Sequence, residues 1–328
     1  MYRFFLICLL CSLYFTQVLG QAGKSSFDYL LLPHSARSAA LGGNNVSIIE
    51  NDISLVYDNP GAIGIEMDLT LTASYMAYVA DIGIGNVAFA KSLGEKSAIG
   101  IGAFYGNYGK MKEAIEGNVV VGDLNASDIC GSIFFAHDLT DKLRGGITGK
   151  FFYSNYHHNT AIGLGVDLGL SYYHEEKQFS LGLVGKNIGR QIKAYEEDLA
   201  GLPWDIQFGF TKKLAQAPIR VSVTGVHLKQ WKFENFDGKE DSFFKTFTKH
   251  LIFGVDFIPN DNFWIGLGYN VKRGSDMSLE EGNKLGGFSA GAGLRVKAFS
   301  VGCSVGKYNL SATSFMVSIS TSFAEMKL

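Results

Sequence analysis

The stretch "TSFMVSISTSF" (313–323) decides the fold. Phe315, Val317, Ile319 and Phe323 alternate with Ser314, Ser318, Ser320 and Ser322, which is the period of a strand with one apolar and one small polar face. The rule repeats in "FSAGAGLRV" (288–296), where Phe288, Ala290, Ala292, Leu294 and Val296 alternate with Ser289, Gly291, Gly293 and Arg295. It repeats again in "HLIFGVDF" (250–257), with Leu251, Phe253, Val255 and Phe257 on one parity and Ile252, Gly254 and Asp256 on the other.

Carried along the chain, the template gives fourteen strands. They fall near 68–78, 82–93, 97–106, 127–137, 143–156, 160–173, 178–187, 206–213, 219–228, 249–257, 263–271, 286–296, 299–308 and 313–323. Most are close to the roughly 9–11 residues with which a tilted strand crosses a hydrocarbon core. Every second connection is short: "GEK", "DLTDK", "HEEK", "LAQAP", "PNDN" and "KA". Four of the others are long, at 107–126, 188–205, 229–248 and 272–285. Short turns on one rim and long loops on the other are the pattern of an outer-membrane barrel. A secreted sandwich would show no such asymmetry.

Aromatic residues cluster at the strand ends. Tyr75, Tyr78, Tyr105, Tyr108, Tyr153, Tyr156 and Trp231 fall toward the long-loop rim, and Tyr172, Tyr173, Phe257, Trp264 and Phe299 toward the other. Two interfacial girdles are expected from them. The fold class is therefore all-β, a fourteen-stranded antiparallel outer-membrane β-barrel.

The N-terminus reads as an address. Arg3 precedes the apolar run "FFLICLLCSLYF" (4–15), and "QVLG" places small or β-branched residues before a cleavage expected after Gly20. Residues 1–20 are expected to be a signal peptide, 21–67 a hatch and 68–328 the transmembrane barrel. An even strand number puts both termini on the short-turn, periplasmic side, with the long loops extracellular. Of four cysteines, Cys130 and Cys303 follow the signal, and alternation puts them on opposite faces of the sheet, so no disulfide framework is expected. A net charge of −2, or −3 without the signal, with no clustered basic run, argues against nucleic acid. No window after residue 20 is long and apolar enough for a membrane helix. Forty glycines against five prolines suit closely approached or strongly curved sheet.

A barrel of this size has a lumen too wide for its own side chains to fill. The segment before the first strand supplies small and helix-prone residues: "SARSAALGG" (35–43), stopped by Gly42 and Gly43, and "DISLVYDNPGAIG" (52–64), with Asp52 as N-cap and Pro60 as a stop. Asn59 and Pro60 are expected to close a small helical plug in the lumen.

"SARSAALGG" followed by "DNPGAIG" resembles the N-terminal hatch signature of FadL-type barrels, with Asn59-Pro60-Gly61 where those have Asn-Pro-Ala. Within that superfamily the chain is similar to the PorQ family, outer-membrane components of the type IX secretion system. The stretches that carry this are "LPHSARSAALGGNNVS" (32–47), "FYGNYGKM" (104–111), "GKNIGRQIKAY" (185–195), "LPWDIQFGFTKKLAQAPIRVSV" (202–223), "HLKQW" (227–231), "KHLIFGVDFIPNDNFWIGLGYN" (249–270) and "GGFSAGAGL" (286–294). The resemblance implies a non-catalytic anchor for a PorZ-like surface protein. It would work with a PorU-like sortase and a PorV-like barrel, which attach cargo to lipopolysaccharide at the outer-membrane surface. Uptake of apolar small molecules, as in FadL relatives, is the alternative. It would call for a gap in a strand beside the hatch, for which Gly83 and Gly85 are candidates.

No catalytic, cofactor or metal constellation stands out. Glu175-Glu176, Glu196-Glu197 and Glu280-Glu281 lie in turns and loops and read as exposed charge. His157-His158 would face opposite ways on a strand. "GLGVDLG" (163–169) lies mid-strand with no helix following it. The informative loop is "KQWKFENFDGKEDSFFKTFTK" (229–249), where Trp231, Phe233, Phe236, Phe243 and Phe244 stand among charges. Exposed aromatics are enriched at protein contacts, so these residues and the loop 107–126 are expected to bind the partner; the alternative is that the aromatics pack against neighbouring loops as a lid over the barrel. The loop 107–126, with "GNVVVGDL" at 117–124, is expected to be a small hairpin above the membrane.

Overall fold

A computed structural model describes residues 27–115, 119–156, 159–194, 199, 201–233, 241–277, 285–310 and 312–327, with backbone only over 110–124 and at 327. The expected signal segment, Phe236, His157-His158, Glu196-Glu197 and Glu280-Glu281 lie outside the described residues.

Fourteen antiparallel strands close into one barrel. They are β1 (Thr70–Ala77), β2 (Gly83–Leu93), β3 (Ser97–Ile115), β4 (Val119–Thr140), β5 (Leu143–Tyr156), β6 (Asn159–His174), β7 (Phe179–Lys193), β8 (Asp205–Lys213), β9 (Ile219–Gly225), β10 (Leu251–Asn260), β11 (Phe263–Asn270), β12 (Phe288–Val296), β13 (Phe299–Gly306) and β14 (Ser314–Ser322). β1 pairs with β14 in unbroken register from Thr70↔Ser322 to Ala77↔Phe315, so no edge is left open. β3 and β4 run on beyond the wall, pairing from Lys110↔Asn125 to Ile115↔Val119, which is the expected hairpin.

The alternation sorts the faces as read. On β1, Thr70, Thr72, Ser74 and Met76 are buried toward the lumen and Tyr75 points out. Outward positions are large and apolar, among them Ile101, Ile133, Leu168, Leu267 and Val301, all exposed. Such a wall suits lipid. Cys130 is buried and Cys303 exposed, and both are free thiols. The girdle reading holds for outward Tyr75 and Tyr105 but fails for several aromatics that turn inward, Trp264, Tyr78 and Tyr108 among them. Trp264 shares inward parity with Gly266 and Gly268 and lies under the Arg37 guanidinium, 4.2 Å from its ring centre. The Tyr78 hydroxyl donates to the Tyr308 carbonyl, and Tyr108 donates to Asp128.

The hatch, Phe27 to Leu69, fills the lumen. Its five-residue helix Ala36–Ala40 starts at Ser35, whose hydroxyl accepts from the Ser38 amide, and every residue of it is buried. It ends as expected: Gly42 and Gly43 have φ of 99° and 98°, and the Gly43 amide donates to the Ser38 carbonyl at 2.9 Å. This is the left-handed C-terminal closure that glycine permits. Asp52 caps the next turn, Ile53–Tyr57, through the Ser54 amide. Pro60 does more than stop it. It opens a further turn, Pro60–Ala62, capped by Asn59 through the Gly61 amide. The first described residues pack against Phe104, Phe152 and Leu202 near the long-loop end. The described hatch thus runs from the long-loop end across the lumen toward the short-turn end, where β1 begins.

Candidate functional site

Small inward residues let the hatch backbone approach the wall. A methyl group at Gly146 would overlap the Pro60 carbonyl, one at Gly182 the Val46 carbonyl and one at Gly268 the Gly42 amide. Glycine on the lumen face is thus a condition for seating the plug. Hydroxyls and amides then complete the seam. The Ala36 amide donates to Ser318 Oγ at 2.7 Å, Gly42 to Ser289 Oγ at 3.0 Å, and Ser180 to the Ser47 carbonyl at 2.6 Å. Ser74 donates to the His34 carbonyl at 2.7 Å, and the Asn59 amide reaches Ser171 Oγ at 3.0 Å. These contacts reach β1, β6, β7, β12 and β14, so the plug is held from several sides.

Charge adds a second set of ties. Arg37 pairs with Glu50 at 2.9 Å and with Asp256 at 3.1 Å; Arg220 pairs with the same two carboxylates at 2.7 and 3.0 Å. Burial alone would raise the Glu50 carboxyl, but the Arg220 and Arg37 guanidinium groups outweigh it and hold it at about 2. Lys150 meets Asp167 at 2.6 Å, and Lys186 approaches Asp58 at 3.7 Å. His34 stacks on Tyr57 at 4.6 Å; burial first, then the Lys186 and Lys150 charges, keeps its imidazole neutral well below the usual range. Beneath the hatch, toward the short turns, a polar cavity of about 440 Å³ lies between Glu50, Arg220 and Trp264. Above it a space of about 150 Å³ is bounded by Gly43, Asp205 and Tyr308.

Sequence reasoning placed Gly42, Gly43, Asn59 and Pro60 in the plug, and the structure puts them at its turns and against the wall. It missed Arg37, Glu50, Arg220 and Asp256. The available signal was Asp256 in mid-strand and Arg220 at the start of its strand, both at inward parity, where a charge needs a partner. The strand gap considered at Gly83 and Gly85 is absent: both residues pair without interruption to β1 and β3.

The aromatic loop ends in a seven-residue rim helix, Phe243–Lys249, capped by Ser242. Its polarity is inverted. Thr246 and Lys249 are buried, with Lys249 paired to Asp241 at 2.5 Å, while Phe243 and Phe244 are 77% and 75% exposed and Phe247 is also exposed. Trp231 stacks on Phe243 at 6.0 Å with near-parallel rings. Phe233 is turned down against His250, 5.0 Å away. The structure therefore brings Trp231, Phe243 and Phe244 onto one exposed ridge and gives Phe233 a packing place.

No protein-family model matches the chain, and no curated protein does. Among solved structures it is similar to the Pseudomonas putida toluene transporter TodX, with TM-score 0.58 and 13% identity over 92% of this chain and 100% of that one. It is also similar to a Pseudomonas aeruginosa FadL homologue, with TM-score 0.51 and 10% identity over 89% and 99%. At such identities the likeness is one of fold alone: this chain, a closed fourteen-stranded barrel, is similar in fold to the TodX transporter and the FadL homologue.

Proposed function

We propose that this protein is a non-catalytic outer-membrane anchor: a barrel permanently closed by its hatch, whose long-loop rim faces outward and holds a surface-exposed protein. The observation that carries this reading is the inverted rim helix, which buries Thr246 and Lys249 and presents Phe243 and Phe244 beside Trp231. An apolar ridge rimmed by charge is what a partner covers. The many ties of the hatch support a structural plug, because moving it would strand several buried charges. As the PorQ resemblance implies, the partner would be a PorZ-like protein working with a PorU-like sortase and a PorV-like barrel near lipopolysaccharide.

Uptake of apolar molecules is a second reading, and the comparisons favour it, since TodX is described as a toluene transporter. Fold alone does not carry function, and a passage here would require the hatch to leave its seam. The test is to tag the protein in its native outer membrane, extract it gently and identify what accompanies it. A double variant, Phe243→Ser and Phe244→Ser, is compared in parallel. Recovery of a large surface protein that the variant loses supports anchoring. A barrel recovered alone, carrying apolar compounds, overturns anchoring in favour of uptake.

A further inference from the structure

The lipid-facing wall carries a groove of about 790 Å³ across β4 to β7. Its floor is open at Gly131 and Gly149, where an added Cβ would meet nothing within 4 Å. Its sides are Ile133, Phe151, Leu164 and Val166, and Arg190 lines it as well.

Arg190 is on the outside only because β7 is irregular. Along Ser180, Gly182, Val184 and Lys186 the even positions of β7 face the lumen; after Asn187 the buried residue is Gln191, and Arg190 is exposed. The register explains the switch: Leu168 pairs with Gly185 and Val166 with Ile188, so β7 carries one extra residue there. Without that bulge Arg190 would point inward. The bulge is pinned from within. Asn187 has a left-handed φ of 55°, its amide donates to Asp167 Oδ1 at 2.6 Å, and Lys150 Nζ donates to Asn187 Oδ1 at 2.8 Å. Among the described residues, Arg190 makes no side-chain hydrogen bond or ion pair.

Arg190 sits in the row Leu164, Phe151, Gly131 and Ala103, two residues below the row that holds Tyr153 and Tyr105. That is about 7 Å along the strand below the expected headgroup level, within reach of an arginine extended upward. An unpaired guanidinium on a lipid-facing wall is costly, and phosphate is the anion its planar fork fits. Lipid tails gain nothing from leaving other tails for a protein groove, so selectivity must come from shape and from this charge.

We propose that the groove binds one acyl chain of an anionic, phosphate-bearing lipid of the long-loop leaflet, with the phosphate on Arg190; phosphatidylglycerol serves as the probe. The inference needs only a barrel that spans a membrane and is independent of the anchor reading. The protein is placed in phosphatidylcholine nanodiscs doped with phosphatidylglycerol, and the lipid retained on release is counted by native mass spectrometry. Wild type is expected to keep one phosphatidylglycerol above background. Arg190→Gln should lower that retention about tenfold, as for one lost charge-assisted pair, and Arg190→Lys less. Gly131→Leu with Gly149→Leu should abolish it with Arg190 intact, while the melting temperature of each variant stays at the wild-type value. Unchanged retention in Arg190→Gln or in the filled groove overturns the proposal.

Discussion

The hatch helix Ala36–Ala40 and the rim helix Phe243–Lys249 begin alike. Ser35 accepts from the Ser38 amide at 3.1 Å and Ser242 from the Lys245 amide at 3.4 Å. From there they diverge. The hatch helix is alanine-rich, buried on every side, and bound at its start and end by Ser318 and Ser289 of the wall. The rim helix turns Thr246 and Lys249 inward and its phenylalanines out. A serine cap fixes where each helix starts; side-chain size and the partners within reach fix whether it becomes packing or surface. The hatch helix closes the lumen, and the rim helix offers a ridge.

The contrast breaks most sharply at Arg37, the charged residue of the hatch helix. Replacing it with Gln leaves Asp256 buried with one guanidinium instead of two and removes the cover over Trp264. The expected loss is about 3 kcal/mol of hatch docking. Hydrogen exchange of the hatch amides should accelerate while strand amides stay protected, and single-channel recordings should show openings absent from wild type. No change in hatch exchange would mean that hydroxyl contacts alone seat the plug.

Gly146 and Gly131 offer a second test, since neither has a side chain and they face opposite ways. Gly146→Val drives a branched side chain into the Pro60 carbonyl and should cost about 1–3 kcal/mol. Gly131→Val projects into open space on the outer wall and should change melting by less than the scatter between repeats. Equal losses at the two sites would show that glycine matters here for the sheet itself and not for the hatch.

That pair also shows what was legible in the sequence. Alternation settled the strand positions because lipid outside and a packed hatch inside impose opposite demands on successive residues, as from Phe315 to Phe323. It fell short on β3 and β4, which run to Ile115 and from Val119, because above the membrane the outward face need no longer be apolar. Trp264 was misread by its place near a strand end, although its inward parity was visible. The bulge at Asn187 was hidden: the glycines at 185 and 189 flank it on one sequence parity and carry no side chain to show that the phase changes between them. The four-charge lattice could not be assembled because Arg37 and Asp256 lie far apart in the chain, and only closure of the barrel brings them together. The rim ridge was legible as composition. Which of its rings would face out was decided by helix phase: Phe233 lies outside the helix and turns in.

Acid should loosen the hatch by a smaller amount. The Glu50 carboxyl is depressed from 4.5 to about 2 by Arg220 and Arg37 against the effect of burial. A depressed carboxylate contributes fully above its unfolded pKa, and the contribution fades as pH falls toward the folded value. The Glu50 part of hatch protection, corrected for intrinsic exchange, should therefore be level down to about pH 4.5 and decline toward about 2, after an earlier decline below about 6.5 as the buried, neutral His34 resists protonation. Arg37→Gln should leave the onset of the Glu50 decline in place but make it smaller and end it at a higher pH, since one of the two opposing cations is gone.

The two caps give the smallest effects and the most direct return to the comparison. Ser35→Ala removes a buried acceptor from the Ser38 amide, where no water replaces it, so about 1–2 kcal/mol of hatch docking should be lost. Ser242→Ala acts on an exposed helix end whose amide can turn to water, and the global melting temperature should not move. Its effect should appear elsewhere. A frayed first turn loosens Phe243 and Phe244 from the ridge with Trp231, so a partner that needs the ridge preformed should dissociate faster by a few-fold. If Ser242→Ala leaves partner release unchanged while Phe243→Ser with Phe244→Ser abolishes binding, the rings act as flexible anchors. If both weaken binding, the helix holds its rings ready, and the shared serine cap serves the surface as it serves the lumen.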